Sequence, residues 1–154
     1  MSPEQFSQLV STVTAAVDGK AVDKALEKEL NEKFPADGPV FAAIKDAIKA
    51  GVAAGWMCSR EHGGIKYGRV AKPGPELHGC SIDVVDMADL AGPHHIHPKG
   101  EIDLILPMEG DAKFDGHGAG WLVYGPGSGH RPTVSEGRAY VLYLLPDGAI
   151  EFSK

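Results

Sequence analysis

The sequence predicts a mainly β protein, a β-sandwich or small barrel, preceded by a helical N-terminal region. Three observations carry that expectation. Apolar residues recur at helical spacing from residue 3 to about 55, and from Trp56 onward the chain breaks into short β-branched and aromatic runs punctuated by Gly and Pro. No strand alternates with a helix, as a doubly wound sheet would require. With 154 residues a single domain is expected over 1–154, helical over 1–55 and barrel over 56–154, since a domain typically takes about 100–200 residues.

The helices come first. Phe6, Leu9, Val10, Val13 and Val17 form one apolar stripe, with Ser2 as N-cap, Pro3 at the first helical position and Asp18-Gly19 as the stop. Val22, Leu26, Leu30 and Phe34 form a second stripe on a Lys- and Glu-rich helix that ends before Pro35. Phe41, Ile44, Ile48 and Val52 form the third. Each helix has one apolar face and must bury it, in a core or a subunit interface. Strands are expected at 65–70, 81–87, 94–97, 102–107, 112–114, 121–124, 138–145 and 149–152.

Composition narrows the function. A formal charge of −6 and the lack of any Lys/Arg run exclude a nucleic-acid surface, which needs cations to neutralise phosphate. No segment approaches the roughly 18 apolar residues of a membrane span, and the N-terminus lacks a basic region followed by an apolar core. A cytoplasmic protein with small-molecule or protein partners is expected. Cys58 and Cys80 form no CxxC pair and are expected to be reduced, structural residues.

The chemistry concentrates in 92–110, GPHHIHPKGEIDLILPMEG. Residues two apart on a strand share a face, so His95 and His97 point together and His94 points away. After the turn at Pro98, Lys99 and Gly100, Glu101 opens a second apolar strand. Two imidazoles and a carboxylate in one pocket are a metal-ligand set. A second glycine-rich segment, GWLVYGPGSGHRPTV at 120–134, delivers His130 straight after a turn. That completes a site of three histidines and one carboxylate. Such a set suits one divalent transition metal, Fe, Mn, Ni or Zn, and leaves positions for water and substrate.

These residues resemble the cupin superfamily over residues 65–152. Its first motif, two histidines one residue apart followed after three or four residues by a glutamate, is met by His95, His97 and Glu101. Its second, a glycine three residues before a histidine, is met by Gly127 and His130. Three positions depart: the closing glycine stands at Gly110 instead of Met108, Gly125 replaces a proline, and Val134 replaces an asparagine. These bear on strand register and leave the ligand set intact. Within the superfamily, HPKGEIDLILP at 97–107, FDGHGAGWLVYGPGSGHRPTV at 114–134 and YVLYLLPDGAIEF at 140–152 resemble 4-hydroxylaminobenzoate lyases.

The resemblance implies a jelly-roll barrel after N-terminal helices, a homo-oligomer, and a metal-dependent carbon-nitrogen lyase. Such an enzyme converts a hydroxylaminobenzoate to a dihydroxybenzoate and releases ammonia in nitroaromatic breakdown. The alternatives are a cupin dioxygenase acting on an aromatic or thiol compound, and a non-enzymatic small-molecule-binding cupin.

Beyond the ligands, several residues are candidates for the reaction. His117, in FDGHGAG, is an acid or base at the barrel mouth, or a surface-loop residue. Tyr124, Tyr140 and Tyr143 pack in strands, one of them a candidate proton donor. A small aromatic carboxylate needs a cation, and Arg131 beside His130 is the first candidate, ahead of Arg60, Arg69 and Lys99. Trp121 stacks on an aromatic ring or packs in the core. Asp103 shares Glu101's face, as support for an imidazole or as a solvated residue.

Overall fold

A computed structural model of the chain describes residues 1–153. Three helices come first: α1 (Pro3–Val17), α2 (Lys24–Lys33) and α3 (Pro39–Ala54). The signals read from the sequence set their ends. The Ser2 hydroxyl accepts the Gln5 N–H at 3.2 Å while the Gln5 side chain accepts the Ser2 N–H at 2.8 Å, a reciprocal capping box. Asp23 caps α2 by accepting the Leu26 N–H at 2.9 Å. Gly55 closes α3 in the left-handed conformation, where a side chain would be strained.

Nine strands follow: β1 (Arg60–His62), β2 (Ile65–Ala71), β3 (Cys80–Ala91), β4 (His95–His97), β5 (Glu101–Phe114), β6 (Gly120–Tyr124), β7 (Ser128–His130), β8 (Thr133–Pro146) and β9 (Glu151–Phe152). A six-stranded antiparallel sheet has the order β1-β2-β3-β8-β5-β6, and a three-stranded sheet the order β7-β4-β9. The two meet where His97 and His130 of the small sheet approach Glu101 and Tyr124 of the large one.

The large sheet is covered on both faces, and alternation decides which side chain goes where. On β5, Ile102, Leu104 and Leu106 join one core with Phe6, Leu30 and Ile48 of the helices. Ile105 turns the other way, into a second core with Met87, Val141 and Tyr143. The helical stripes therefore find their partner in the same chain: they pack on the outer face of the barrel. Each fully buried Phe or Leu among them contributes about 1.5–3 kcal/mol.

Several bounds differ from the sequence reading: β1 is an additional strand, and β3 and β8 run well beyond the expected 81–87 and 138–145. The expected strands at 102–107 and 112–114 are one continuous strand, β5, interrupted by register shifts between Pro107 and Glu109 and between Gly110 and Lys113. Pro107, which cannot donate a ladder hydrogen bond, sits at the first of these irregularities, as proline in a sheet usually does. Gly137 pairs with Gly110 at the second, and a Cβ there would lie 1.9 Å from the Glu109 carbonyl oxygen. Only glycine permits that approach. The run 125–129 reads as a turn with His130 after it, but Ser128–His130 form a strand, β7, paired residue for residue with β4.

A further contact joins helix to barrel. Val123 N–H donates to Glu27 Oε1 at 2.8 Å, Trp121 N–H to Asn31 Oδ1 at 2.8 Å, Asn31 Nδ2 to the Trp121 carbonyl at 2.9 Å and Lys24 Nζ to the Val123 carbonyl at 2.8 Å. Side chains from one face of α2 thus satisfy the outer backbone groups of β6, the last strand of its sheet. A bare edge would leave these groups to water or to another strand.

Candidate metal centre

Local geometry brings the four expected side chains together. His95 and His97 share a face of β4, and register sets His130 of β7 directly opposite His95. Gly100, at φ +90°, turns the chain so that Glu101 starts β5 beneath them; a Cβ there would come within 2.6 Å of Val22 and 2.8 Å of the Tyr124 carbonyl. The donor atoms of His95, His97, Glu101 and His130 all lie within 4.8 Å of one another. Glu101 Oε2 is 3.0 Å from His97 Nε2 and 3.3 Å from His130 Nε2, and its Oε1 is 3.5 Å from His95 Nε2. His97 and Glu101 are 0% exposed.

Outer partners fix which ring nitrogen faces inward. The Ser128 hydroxyl donates to the Gly125 carbonyl, so it accepts from His97 Nδ1–H at 3.1 Å. His130 Nδ1–H donates to Asp115 Oδ2 at 2.5 Å. In both rings Nε2 is left to face the carboxylate. His97 Nε2 and both Glu101 oxygens are buried without a hydrogen-bond partner, and His130 Nε2 faces His95 Nε2 at 3.1 Å. Converging lone pairs in a dry site repel unless a positive centre sits among them. The donor set therefore fits a divalent metal with mixed imidazole and carboxylate ligation.

Burial works against an imidazolium at His130, but the neighbouring Asp115 and Glu101 carboxylates outweigh it and raise the group to about 9, so a metal would have to take the place of the proton at Nε2. Burial likewise opposes the Glu101 carboxylate, yet the three histidines hold it well below the usual range. Asp103, 0% exposed and with both oxygens unpartnered, lies on the same strand face. Burial first, then the neighbouring Glu101, pushes it well above the carboxylate range, so it is no solvated strand residue.

The chain matches the family model for 4-hydroxylaminobenzoate lyase (PnbB) over residues 8–152. It belongs to the 4-hydroxylaminobenzoate lyase family. A member from Nocardioides sp. (strain LMS-CY) is 34% identical over 110 residues, covering 66% of this chain and 65% of that protein. One from Pseudomonas putida is 32% identical over 118 residues, covering 66% and 67%. The chain thus spans about two thirds of the length of the curated relatives it matches. Among solved structures, an RmlC-like cupin protein from Ralstonia eutropha gives a TM-score of 0.45 at 15% identity over 62% of this chain and 64% of that one. An oxalate oxidase bound to glycolate gives 0.44 at 22% identity over 61% and 57%.

For this lyase-family chain, the structure redistributes the supporting residues. Tyr124 does reach the centre: its ring stacks on His97 at 5.6 Å and lies 4.5 Å from His130, and its hydroxyl donates to Asp115 Oδ2 at 2.5 Å. Trp121 does not. It is 4% exposed on the helix side of β6, and its indole N–H donates to the Phe34 carbonyl at 3.0 Å; strand alternation sends Trp121 outward and Leu122 inward. His117 is exposed, and the FDGHGAG loop enters the site through Asp115 instead. Arg131 is exposed as well, in the short link between β7 and β8. His94 faces away from the centre and hydrogen-bonds Ser153 at 2.6 Å.

Asp115 is the residue that sequence reasoning missed. A D-G pair reads as a turn, and Asp115 does occupy a left-handed turn position at φ +50°. Its carboxylate nevertheless gathers Tyr124, His130 and the Thr133 N–H, the last at 2.9 Å. Burial raises its cost as an anion, but these three donors hold it below the usual carboxylate range. No spacing rule links positions 115, 124, 130 and 133.

A cavity of about 620 Å³ adjoins the centre, and His95 belongs to both. Met87, Leu145, Ile150 and Phe152 give it apolar walls, Tyr143 lines it from β8, and Arg60 and Arg69 line it from β1 and β2. Arg131, Trp121, His117 and Tyr124 are not among its lining residues.

Proposed function

We propose that this chain is a metal-dependent lyase that converts a hydroxylaminobenzoate to a dihydroxybenzoate with release of ammonia. The observation that carries this reading is the buried three-histidine, one-glutamate cluster opening through His95 onto an apolar cavity of small-ligand size, in a chain of the 4-hydroxylaminobenzoate lyase family. The net reaction is hydroxylaminobenzoate plus water to dihydroxybenzoate plus ammonia. Cleavage of the N–O bond takes up the two electrons the ring gives up, so the balance needs no external oxidant.

His95, His97, Glu101 and His130 would hold the metal. When bound, it would supply Lewis acidity toward the hydroxylamino oxygen. Asp115 and Ser128 keep His130 and His97 in the tautomer that turns Nε2 inward, and the Tyr124 ring holds both imidazoles in place. The apolar walls of the cavity exclude bulk water from the ring. Tyr143 lines the cavity, and burial together with Glu101 and Asp103 raises its phenol well above the ordinary value. It therefore stays protonated at neutral pH and would offer its hydroxyl as a hydrogen-bond donor to the departing nitrogen.

The test is anaerobic incubation of metal-characterised protein with 2- and 4-hydroxylaminobenzoate while ammonia and dihydroxybenzoate are followed. Turnover without dioxygen is expected, with Tyr143→Phe losing about 10²-fold or more in kcat. A strict dioxygen requirement would sink the lyase reading and favour a dioxygenase.

A further inference from the structure

The cavity beside His95 is lined by two guanidinium groups, and they differ in what they already hold. Arg69 gives Nε to Asp83 Oδ1 at 2.9 Å and Nη2 to Asp83 Oδ2 at 3.3 Å, with the Gly148 carbonyl also at 3.3 Å. Its charge is matched within the protein. Arg60 opens β1, paired with Tyr67 across the register, and makes no ion pair or side-chain hydrogen bond among the described residues. His62, two residues on, shares its strand face and lines the same cavity. Asp83 is the sole carboxylate among the lining residues, and Arg69 already engages it.

One unmatched cation at a cavity whose other charges are paired and whose walls are largely apolar describes a site for a small anion with an apolar body. Guanidinium presents a planar fork of donors that fits a carboxylate with two parallel hydrogen bonds. A volume of about 620 Å³ lies within the roughly 300–1,000 Å³ usual for small-molecule sites. We infer that Arg60 receives the carboxylate of an aromatic acid and holds its ring in the apolar part of the cavity that His95 borders. Arg60 is thus a specificity-determining residue, and it replaces Arg131 in the role the sequence suggested. Its place in turnover rests on the lyase reading above; its place in binding does not.

Calorimetric titration of the protein with benzoate and with benzamide separates the two. Benzoate is expected to bind, and benzamide, isosteric but uncharged, about 10-fold or more weaker. Arg60→Gln should weaken benzoate about 10- to 100-fold and leave benzamide unchanged, while Arg60→Lys, which keeps the charge and loses the fork, falls between. Because Arg60 is exposed at a sheet edge, both variants should melt like the parent, which checks folding directly. Benzoate affinity unaltered in Arg60→Gln, equal binding of acid and amide, or no benzoate binding by the parent would each overturn the assignment. In turnover, Arg60→Gln should raise KM for 4-hydroxylaminobenzoate about 10- to 100-fold with a smaller effect on kcat. Ammonia release with an unchanged KM leaves the lyase reading standing and removes Arg60. Arg60-dependent benzoate binding without any ammonia release does the reverse.

Discussion

At the scale of single residues, the centre depends on groups outside the cavity. Asp115 accepts from His130 Nδ1–H, Tyr124 O–H and Thr133 N–H at once. Asp115→Asn keeps the shape but loses the charge that fixes the His130 tautomer. Metal affinity should fall about 10- to 100-fold, read by competition with a chromogenic chelator. The two cysteines illustrate the opposite case, residues whose surroundings silence them. Burial, aided by Asp86, pushes Cys58 up to about 12, and burial, aided by Asp147, pushes Cys80 up to about 11. The thiolate is the reactive form and is scarce below these values. Native protein at pH 8 should therefore consume no thiol reagent over minutes, whereas denatured protein should titrate two thiols. The four candidate ligands were legible in the sequence because each follows from strand parity or from a turn. Trp121 lies away from the cavity because parity fixes a face only relative to a neighbour, and Arg131 because it sits in the link between β7 and β8. Which face looks into the barrel is decided by the helices packed on the other side.

At the scale of elements, α2 and β6 form a unit that no periodicity announces. Val22, Leu26, Leu30 and Phe34 were read as a stripe needing a partner, and they bury as expected. Lys24, Glu27 and Asn31, on another face of the same Lys- and Glu-rich helix, hold the outer edge of β6. Asn31 satisfies both the N–H and the carbonyl of Trp121. Asn31→Ala should cost about 1–3 kcal/mol, because it leaves partly buried backbone groups unpaired. Urea denaturation of the variant beside the parent checks this; a loss within error would show that water replaces the amide without penalty. The long strands escaped the sequence reading for a related reason. Pro107 and Gly110 signal a break in isolation, and only pairing of β5 with β8 carries the chain through those irregularities.

At the scale of the whole molecule, ligands from three strands and two sheets meet at one point, so binding there ties the two sheets together. A metal that binds only the folded state stabilises it by mass action. At a free concentration 100-fold above its dissociation constant, stability should rise by about 2.7 kcal/mol. Thermal melts with and without chelator read this rise, and Glu101→Gln should abolish it. An unchanged melting temperature across Fe, Mn, Ni and Zn would count against the centre. The helical face that grips β6 also decides how copies of this chain meet. Strand-to-strand recruitment, into an ordered assembly or a fibril, needs an open row of backbone donors and acceptors. At β6 that row is occupied from within the same chain, so any such growth is channelled to β1, β7 or β9, the terminal strands of the two sheets that carry no such ladder of helix side chains.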